Sequence, residues 1–222
     1  MRIARHVNNS LTSNTYILHA DYNDRAWIID PGDGLPILDW LKFNKKKPSG
    51  ILITHSHFDH IYGTNDILSQ FPDVKIYCSQ HAISGLLSSK CNHSIYTENP
   101  IEISSQSSIL TINNYDKIPL WNDKSAFVIY TPGHSRDSVS FLIENNIFSG
   151  DSLIPGVRAF SRKFKGGNES ESINSQQTLY NISNSETMLY PGHGEKWKSL
   201  EVKNNDSCFI SLVNENGFIH LN

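Results

Sequence analysis

Short apolar runs alternate with turn residues at the beginning of the chain. Three of these runs have the length and composition of β-strands, and they cover residues 15–19, 26–30 and 51–54. A helix-like segment, LPILDWLKF at 35–43, lies between the second run and the third. The pattern therefore predicts a β-β-α-β beginning.

The middle of the chain gives weaker signals. Residues 62–70 and 81–87 are predicted as helices, the second weakened by Gly85, and residues 75–78 are predicted as a strand. Residues 94–122 have no clear periodicity. This stretch carries no prediction.

Three further apolar runs, at 126–130, 147–149 and 187–190, each end at a loop with a polar side chain, and a helix is predicted at 175–182. Pro-Gly turns follow several runs, in IIDPGD, YTPGH and LYPGH. Such turns aim the next side chain back over the strand ends, where open α/β sheets usually carry their chemistry. We expect the helices to cover the outer faces of the sheets.

Composition and charge restrict the class of protein. The 222 residues are 38% hydrophobic and 18% charged, so we expect one globular domain over residues 1–222. A net charge of -3 without a basic stripe argues against a nucleic-acid partner. The chain lacks an apolar signal segment or membrane span, and its three cysteines are widely spaced, so we expect a cytoplasmic protein with reduced thiols and no membrane partner.

The densest chemical signal is ILITHSHFDHIYG at 51–63. An apolar strand leads directly into His55, His57, Asp59 and His60, which are four potential metal ligands within six residues. An extended chain would project the first two to one side, and a helical turn near Phe58 would bring the other two to a neighbouring point. Imidazole and carboxylate ligands without thiolate suit Zn²⁺, Fe²⁺ or Mn²⁺.

The motif His-x-His-x-Asp-His at 55–60 resembles that of the metallo-β-lactamase superfamily. The resemblance extends to His134 in YTPGHSRDS, Asp151 in IFSGDSLI and His193 in MLYPGHGE. It implies an α/β fold, a four-layer αββα sandwich of two mixed β-sheets with helices on both outer faces. It also implies two divalent metal ions, and zinc is the ion we expect, with iron or manganese as alternatives.

The resemblance assigns a role to each of these residues. The expected ligands of the first ion are His55, His57 and His134, those of the second ion are Asp59, His60 and His193, and Asp151 is expected to bridge them. Asp30 in IIDPGD resembles a carboxylate that orients a ligand histidine from behind, although an Asp before Pro also commonly starts a turn. The histidines outside the motifs, at 6, 19, 81, 93 and 220, are predicted to be ordinary.

Among members of the superfamily, the pattern is most similar to glyoxalase II and related thioesterases. This similarity implies hydrolysis of a small acyl thioester or ester by a hydroxide held between two metals, with Asp59 as a catalytic residue that orients the water. About thirty residues follow His193, where glyoxalase II has a helical region that contacts glutathione, and SCFISLVNENGFIHL is predicted as a β-hairpin. A basic loop with Arg158, Arg162 and Lys163 is the expected contact for an anionic small-molecule substrate.

Three other functions stay open at this point. A mononuclear iron persulfide dioxygenase shares the HxHxDH segment and a continuation close to DHIYG. A phosphodiesterase of the same superfamily is disfavoured by the acidic pI, and a non-enzymatic scaffold is disfavoured because all the ligand positions are kept. The sequence allows either a monomer or a homodimer.

Overall fold

The computed structural model describes residues 1–157 and 166–198. These residues form two six-stranded sheets. The first sheet contains, in spatial order, β1 (Arg2–Val7), β2 (Asn14–His19), β3 (Arg25–Ile29), β4 (Lys47–Leu52), β5 (Lys75–Ser79) and β6 (Ile109–Ile112). The second contains β7 (Lys117–Trp121), β8 (Lys124–Tyr130), β9 (Val139–Ile143), β10 (Asn146–Gly150), β11 (Met188–Pro191) and β12 (Trp197–Lys198), adjacent in the order of the chain.

Five α-helices lie within the described ranges: α1 (Gly34–Phe43), α2 (Phe58–Ile61), α3 (Thr64–Gln70), α4 (Ile83–Leu86) and α5 (Glu169–Asn181). Both sheets are mixed. Strands β3 to β6 run parallel, whereas β1, β2 and β3 pair antiparallel. In the second sheet β10 and β11 are parallel and the other pairs are antiparallel.

The apolar side chains form three clusters that separate four layers. The first lies between the sheets, where Trp27 and Leu52 pack with Phe141 and Phe148. A second cluster joins the first sheet to α1, α3 and α4, and a third joins the second sheet to α5. The predicted αββα sandwich, with helices on both outer faces, is confirmed.

Period-2 alternation explains why the central strands have continuous apolar runs. In β2, Tyr16 and Leu18 point into the cluster between the sheets, whereas Ile17 points towards the helices. Successive side chains of a strand project to opposite faces, so a strand covered on both sides is apolar at every position. Strands β2, β3 and β10, with most side chains buried on both faces, are among those that the sequence predicts.

The predicted β-β-α-β beginning is wrong by one strand, because β1 precedes it. This edge strand, RIARHV, has no fully buried side chain and carries two arginines and a histidine, so it lacks the apolar run of a central strand. Strands β6, β7 and β9 were also not predicted, and the first two lie in the stretch without periodicity.

The predicted helices exist with different bounds. Residues 62–70 form only α3, because Gly63 separates it from the preceding short helix α2. Helix α5 begins at Glu169, before the predicted start at 175, because the Asn168 side chain accepts the backbone N–H of Glu171 and caps the helix. The predicted hairpin after residue 206 lies outside the described residues. Within the described ranges, no helix is both long and apolar enough to cross a membrane.

Candidate metal centre

The histidine motif leaves the first sheet at the carboxyl end of β4 and changes conformation at His57. The backbone of His57 is extended, with φ -62° and ψ 143°, and α2 begins at the next residue. His55 and His57 therefore extend from a loop, whereas Asp59 and His60 extend from the first turns of a helix. This is the local arrangement that the spacing predicts.

The second sheet supplies His134, Asp151 and His193 from the ends of β8, β10 and β11, which lie at one edge because these strands share a direction. The chain turns sharply before each residue. Gly150 has a φ of +49°, a left-handed value that favours glycine, and its carbonyl accepts the N–H of Gly192 at 2.8 Å. This bond ties two of the three loops together.

The first group of side chains consists of His55, His57 and His134. The Nδ1 atom of His57 lies 3.1 Å from Nε2 of His55 and 3.0 Å from Nε2 of His134. One ligand atom from each residue falls within 4.8 Å of the others, so the three imidazoles could hold one metal ion.

The second group consists of Asp59, His60 and His193, whose ligand atoms also lie within 4.8 Å of one another. The Oδ2 atom of Asp59 is 3.5 Å from Nε2 of His60 and 3.3 Å from Nε2 of His193. One carboxylate and two imidazoles form a second set of three ligands.

Asp151 lies between the two groups. Its Oδ2 atom is 3.5 Å from Nε2 of His134 in the first group and 3.5 Å from Nε2 of His193 in the second. Its Oδ1 atom is 3.4 Å from Nε2 of His60. This carboxylate therefore has oxygens near nitrogens of both groups.

Two buried atoms show that these residues suit a cation. His60 Nε2 and Asp151 Oδ1 are both buried and form no hydrogen bond. An unsatisfied buried polar atom is costly unless another partner, such as an ion, completes it. A Cβ atom at Gly192 would lie 2.1 Å from Asp151 Oδ1, so glycine at this position leaves the carboxylate its space. The fold and these His/Asp clusters together imply divalent metal ions.

The pKa values of two histidines in each group are shifted in opposite directions in the metal-free chain. Burial and the neighbouring imidazoles hold the pKa of His55 well below its usual range and lower that of His57 to about 4. At His60, burial lowers the pKa, but the carboxylates of Asp59 and Asp151 outweigh it and raise the pKa well above its usual range. At His193, hydrogen bonds to the same two carboxylates outweigh burial and raise the pKa to about 9.

Asp30 lies directly behind His60. Its buried carboxylate accepts His60 Nδ1–H at 3.0 Å, Thr54 Oγ1–H at 2.6 Å and the Thr54 N–H at 2.8 Å. The contact leaves His60 Nε2 facing Asp59 and Asp151. Asp30 has a φ of +52°, a strained value for this residue, and three hydrogen bonds hold it there.

Sequence analysis missed two residues that support the motif. Asp137 Oδ2 accepts the N–H of Ser56 at 2.8 Å, which fixes the loop between His55 and His57. Ser13 Oγ donates to the carbonyl of Asp59 at 2.7 Å from the turn between β1 and β2. An acidic residue three positions after His134 was the available signal for the first, whereas nothing in the sequence indicated the second.

His93 is closer to the site than its sequence context suggested. Its ring centroid lies 5.3 Å from that of His57, and the residue adopts a left-handed φ of +69°. Arg158, Arg162 and Lys163, the residues expected to contact an anionic substrate, lie outside the described residues.

The family model described as the metallo-beta-lactamase superfamily matches residues 9–200. The chain therefore belongs to this superfamily, which is one of metallo-hydrolases. It is 30% identical over 161 residues to a hydroxyacylglutathione hydrolase of Pseudoalteromonas translucida, covering 71% of this chain and 52% of that protein. It is 29% identical over 226 residues to a probable metallo-hydrolase of Streptococcus pyogenes, covering 94% of this chain and 90% of the relative.

Solved structures show the same fold. The BLEG-1 B3 metallo-beta-lactamase superposes with a TM-score of 0.84 at 26% identity, over 94% of this chain and 99% of that one. ETHE1 from Myxococcus xanthus superposes with a TM-score of 0.71 at 20% identity, over 99% of this chain and 92% of that one. The chain spans about half the length of the first hydroxyacylglutathione hydrolase.

Proposed function

We propose that this protein is a metal-dependent hydrolase that cleaves a small acyl thioester or ester at a two-metal site. One observation carries the proposal. Seven side chains from two sheets converge at one edge, and the Asp151 carboxylate lies between three imidazoles on one side and a carboxylate-imidazole set on the other. Such an arrangement suits two ions that share one bridging ligand.

Each ion has its own set of ligands in this proposal. His55, His57 and His134 would hold the first ion, Asp59, His60 and His193 would hold the second, and Asp151 would be a ligand shared by both. We propose zinc for both positions, because nitrogen and carboxylate oxygen are common zinc ligands. When bound, two such ions polarise a carbonyl oxygen and lower the pKa of water towards about 7, so a nucleophile is available at neutral pH.

The chain itself positions the reacting groups. Burial raises the pKa of the Asp59 carboxyl, but His60 and His193 outweigh it and the pKa is lowered, so Asp59 stays ionised and able to orient a water molecule by accepting its hydrogen bond. The His134 and His193 side chains are 13% and 22% exposed, which marks the side from which a substrate reaches the site.

Thioesters are the substrate class that the chemistry of the site and its relatives favour. A thiolate leaves readily because the pKa of an ordinary thiol is about 8.5, so the reaction needs little help from a general acid. The hydroxyacylglutathione hydrolases, about 25–30% identical to this chain, support a thioester substrate. The metal-binding residues that we assign all fall within the range matched by the superfamily model.

Elemental analysis of the purified protein, followed by an assay with S-D-lactoylglutathione, tests the proposal. We expect about two zinc ions per chain and turnover that a chelator abolishes. Two ions without turnover would retain the two-metal site and reject this substrate. A single iron with oxygen-dependent oxidation of a persulfide would reject the hydrolase and favour the dioxygenase.

A further inference from the structure

A cavity of about 580 Å³ opens beside the first group of histidines, and His57 forms part of its wall. The remaining wall comes from the segment after β5 and from the residues that follow His134. Because His57 belongs both to the candidate metal group and to this wall, a molecule in the cavity lies next to the metal centre. Its volume falls within the range of ordinary ligand pockets.

The charges on the cavity wall are mostly positive. Lys90 and Arg136 are exposed at the cavity, and neither forms an ion pair with any residue in the described part of the chain. His81 and His93 also contribute to the wall. Asp137 is the one carboxylate among the described wall residues, and its Oδ2 atom already accepts the N–H of Ser56. Among the described residues of the wall, the two cations therefore outnumber the one carboxylate.

The wall that carries Lys90 is firmly attached to the metal-binding loop. Asn92 is fully buried, its side chain donates to the carbonyls of Gly85 and Ile101 at 2.9 Å each, and its own carbonyl accepts the N–H of Phe58 at 3.0 Å. Gly85 packs so closely on Ser56 that a Cβ atom there would lie 2.0 Å from Ser56 Oγ. Lys90 therefore lies two residues before Asn92, a buried residue that three hydrogen bonds hold in place.

We infer that this cavity binds the anionic part of the substrate, a carboxylate group carried by the thioester or ester, and that Lys90 and Arg136 supply the opposite charge. The inference rests on the proposed hydrolase function and adds a substrate class to it. A carboxylate placed there lies beside His57, so the scissile carbonyl a few bonds away reaches the metal centre. Arginine suits this task because its planar guanidinium donates two parallel hydrogen bonds to a carboxylate.

The test compares two double variants with the same change in net charge. K90E/R136E reverses both cations of the cavity. K42E/R25E reverses two exposed cations elsewhere, at the end of α1 and at the start of β3, the end of that strand opposite to the metal centre. Calorimetry on the metal-loaded proteins measures the binding of two probes, glutathione and glutarate, and metal content is measured for every sample.

We expect K90E/R136E to bind the probes at least about tenfold more weakly than wild type, with unchanged metal content, and K42E/R25E to bind them like wild type. The difference should shrink in high salt, because screening weakens exposed charges. The milder K90A/R136A variant should show a smaller loss in the same direction.

Equal losses in both double variants would overturn the inference, because only net charge would then matter. Unchanged binding in K90E/R136E, or no binding of either probe to wild type, would also overturn it. Turnover separates this result from the proposed function. Charge-dependent probe binding without hydrolysis of any thioester or ester would support the anionic subsite and reject the hydrolase. Hydrolysis with an unchanged KM in K90E/R136E would support the hydrolase and reject the subsite.

Discussion

The two groups of candidate ligands both take residues from the motif at 55–60, but their histidines differ in protonation. His55, His57 and His134 form a set of imidazoles in which burial keeps the first two neutral, with pKa values below their usual range. The second set places His60 and His193 against the carboxylates of Asp59 and Asp151, which outweigh burial and raise their pKa values. Without metal, His55 and His57 are neutral, whereas His60 and His193 hold protons.

Residues behind the ligands add to this difference, although Asp30 contributes less to the raised pKa of His60 than Asp59 and Asp151 do. Asp30 accepts the Nδ1–H of His60, so a buried carboxylate stands on the far side of the second group. Behind the first group, the Nδ1 atom of His55 lies 3.1 Å from the hydroxyl of Thr54, a neutral partner. A metal at the second group therefore replaces the protons of His60 and His193, whereas at the first group His55 and His57 are already deprotonated.

The largest expected effect comes from removing the carboxylate that lies between the groups. D151A should reduce the metal content of both groups and lower kcat/KM by about a thousandfold or more, because metal-ion stabilisation of the transition state amounts to several kcal/mol. Elemental analysis and the thioester assay measure both effects. The exposed D39A variant is the matched control and should retain metal and activity. A fully loaded, active D151A protein would contradict the bridging role.

A smaller effect, confined to the second group, is expected for D30N. The variant keeps the shape of the side chain but removes the charge behind His60, and losing such a partner typically weakens metal binding by about 10–100-fold. Competition with a chromogenic chelator would separate the two affinities, and circular dichroism would confirm folding. Equal weakening of both ions would show that Asp30 supports the whole loop rather than His60.

The pH dependence of metal binding should differ between the groups. His193, with a pKa of about 9, is protonated at neutral pH, so a metal must displace its proton. Raising the pH towards 9 removes this competitor, and affinity at the second group should rise about tenfold per pH unit for each proton released, then level off. Above pH 7 the first group, with His55 and His57 already neutral, should show a shallower dependence. Chelator competition from pH 7 to 9 checks this, and equal slopes would refute it.

The smallest effect is expected for D137N. Its carboxylate accepts the Ser56 N–H, and a neutral acceptor weakens that hydrogen bond by about 1 kcal/mol, or roughly fivefold. The loss should appear in the affinity of the first group, because Ser56 lies between His55 and His57, and the second group should be unaffected. The same chelator competition measures it, and a larger loss at the second group would assign Asp137 a different role.

Local sequence signals predicted the elements that carry the site. The end of strand β4, the turn into α2 and the Pro-Gly turns before His134 and His193 each follow from a short stretch of chain whose conformation depends on its own residues. Edge strand β1 was not predicted because its side chains are exposed or only partly buried, so it lacks an apolar pattern. Helix α5 starts earlier than predicted because the residues of its first turn are polar. Periodicity detects burial, and these segments are only partly buried.

The sequence by itself determined the family, the motif and the order of the candidate ligands, because each is encoded in a few consecutive residues. The resemblance also implied the two ligand sets and the places of Asp151 and Asp30, but tertiary structure alone decided the distances between these side chains and that Asp137 and Ser13 hold the loops. It also brought Lys90, His93 and Arg136 to one cavity. Contacts between residues far apart in the chain arise only when two sheets pack, and no local pattern records them.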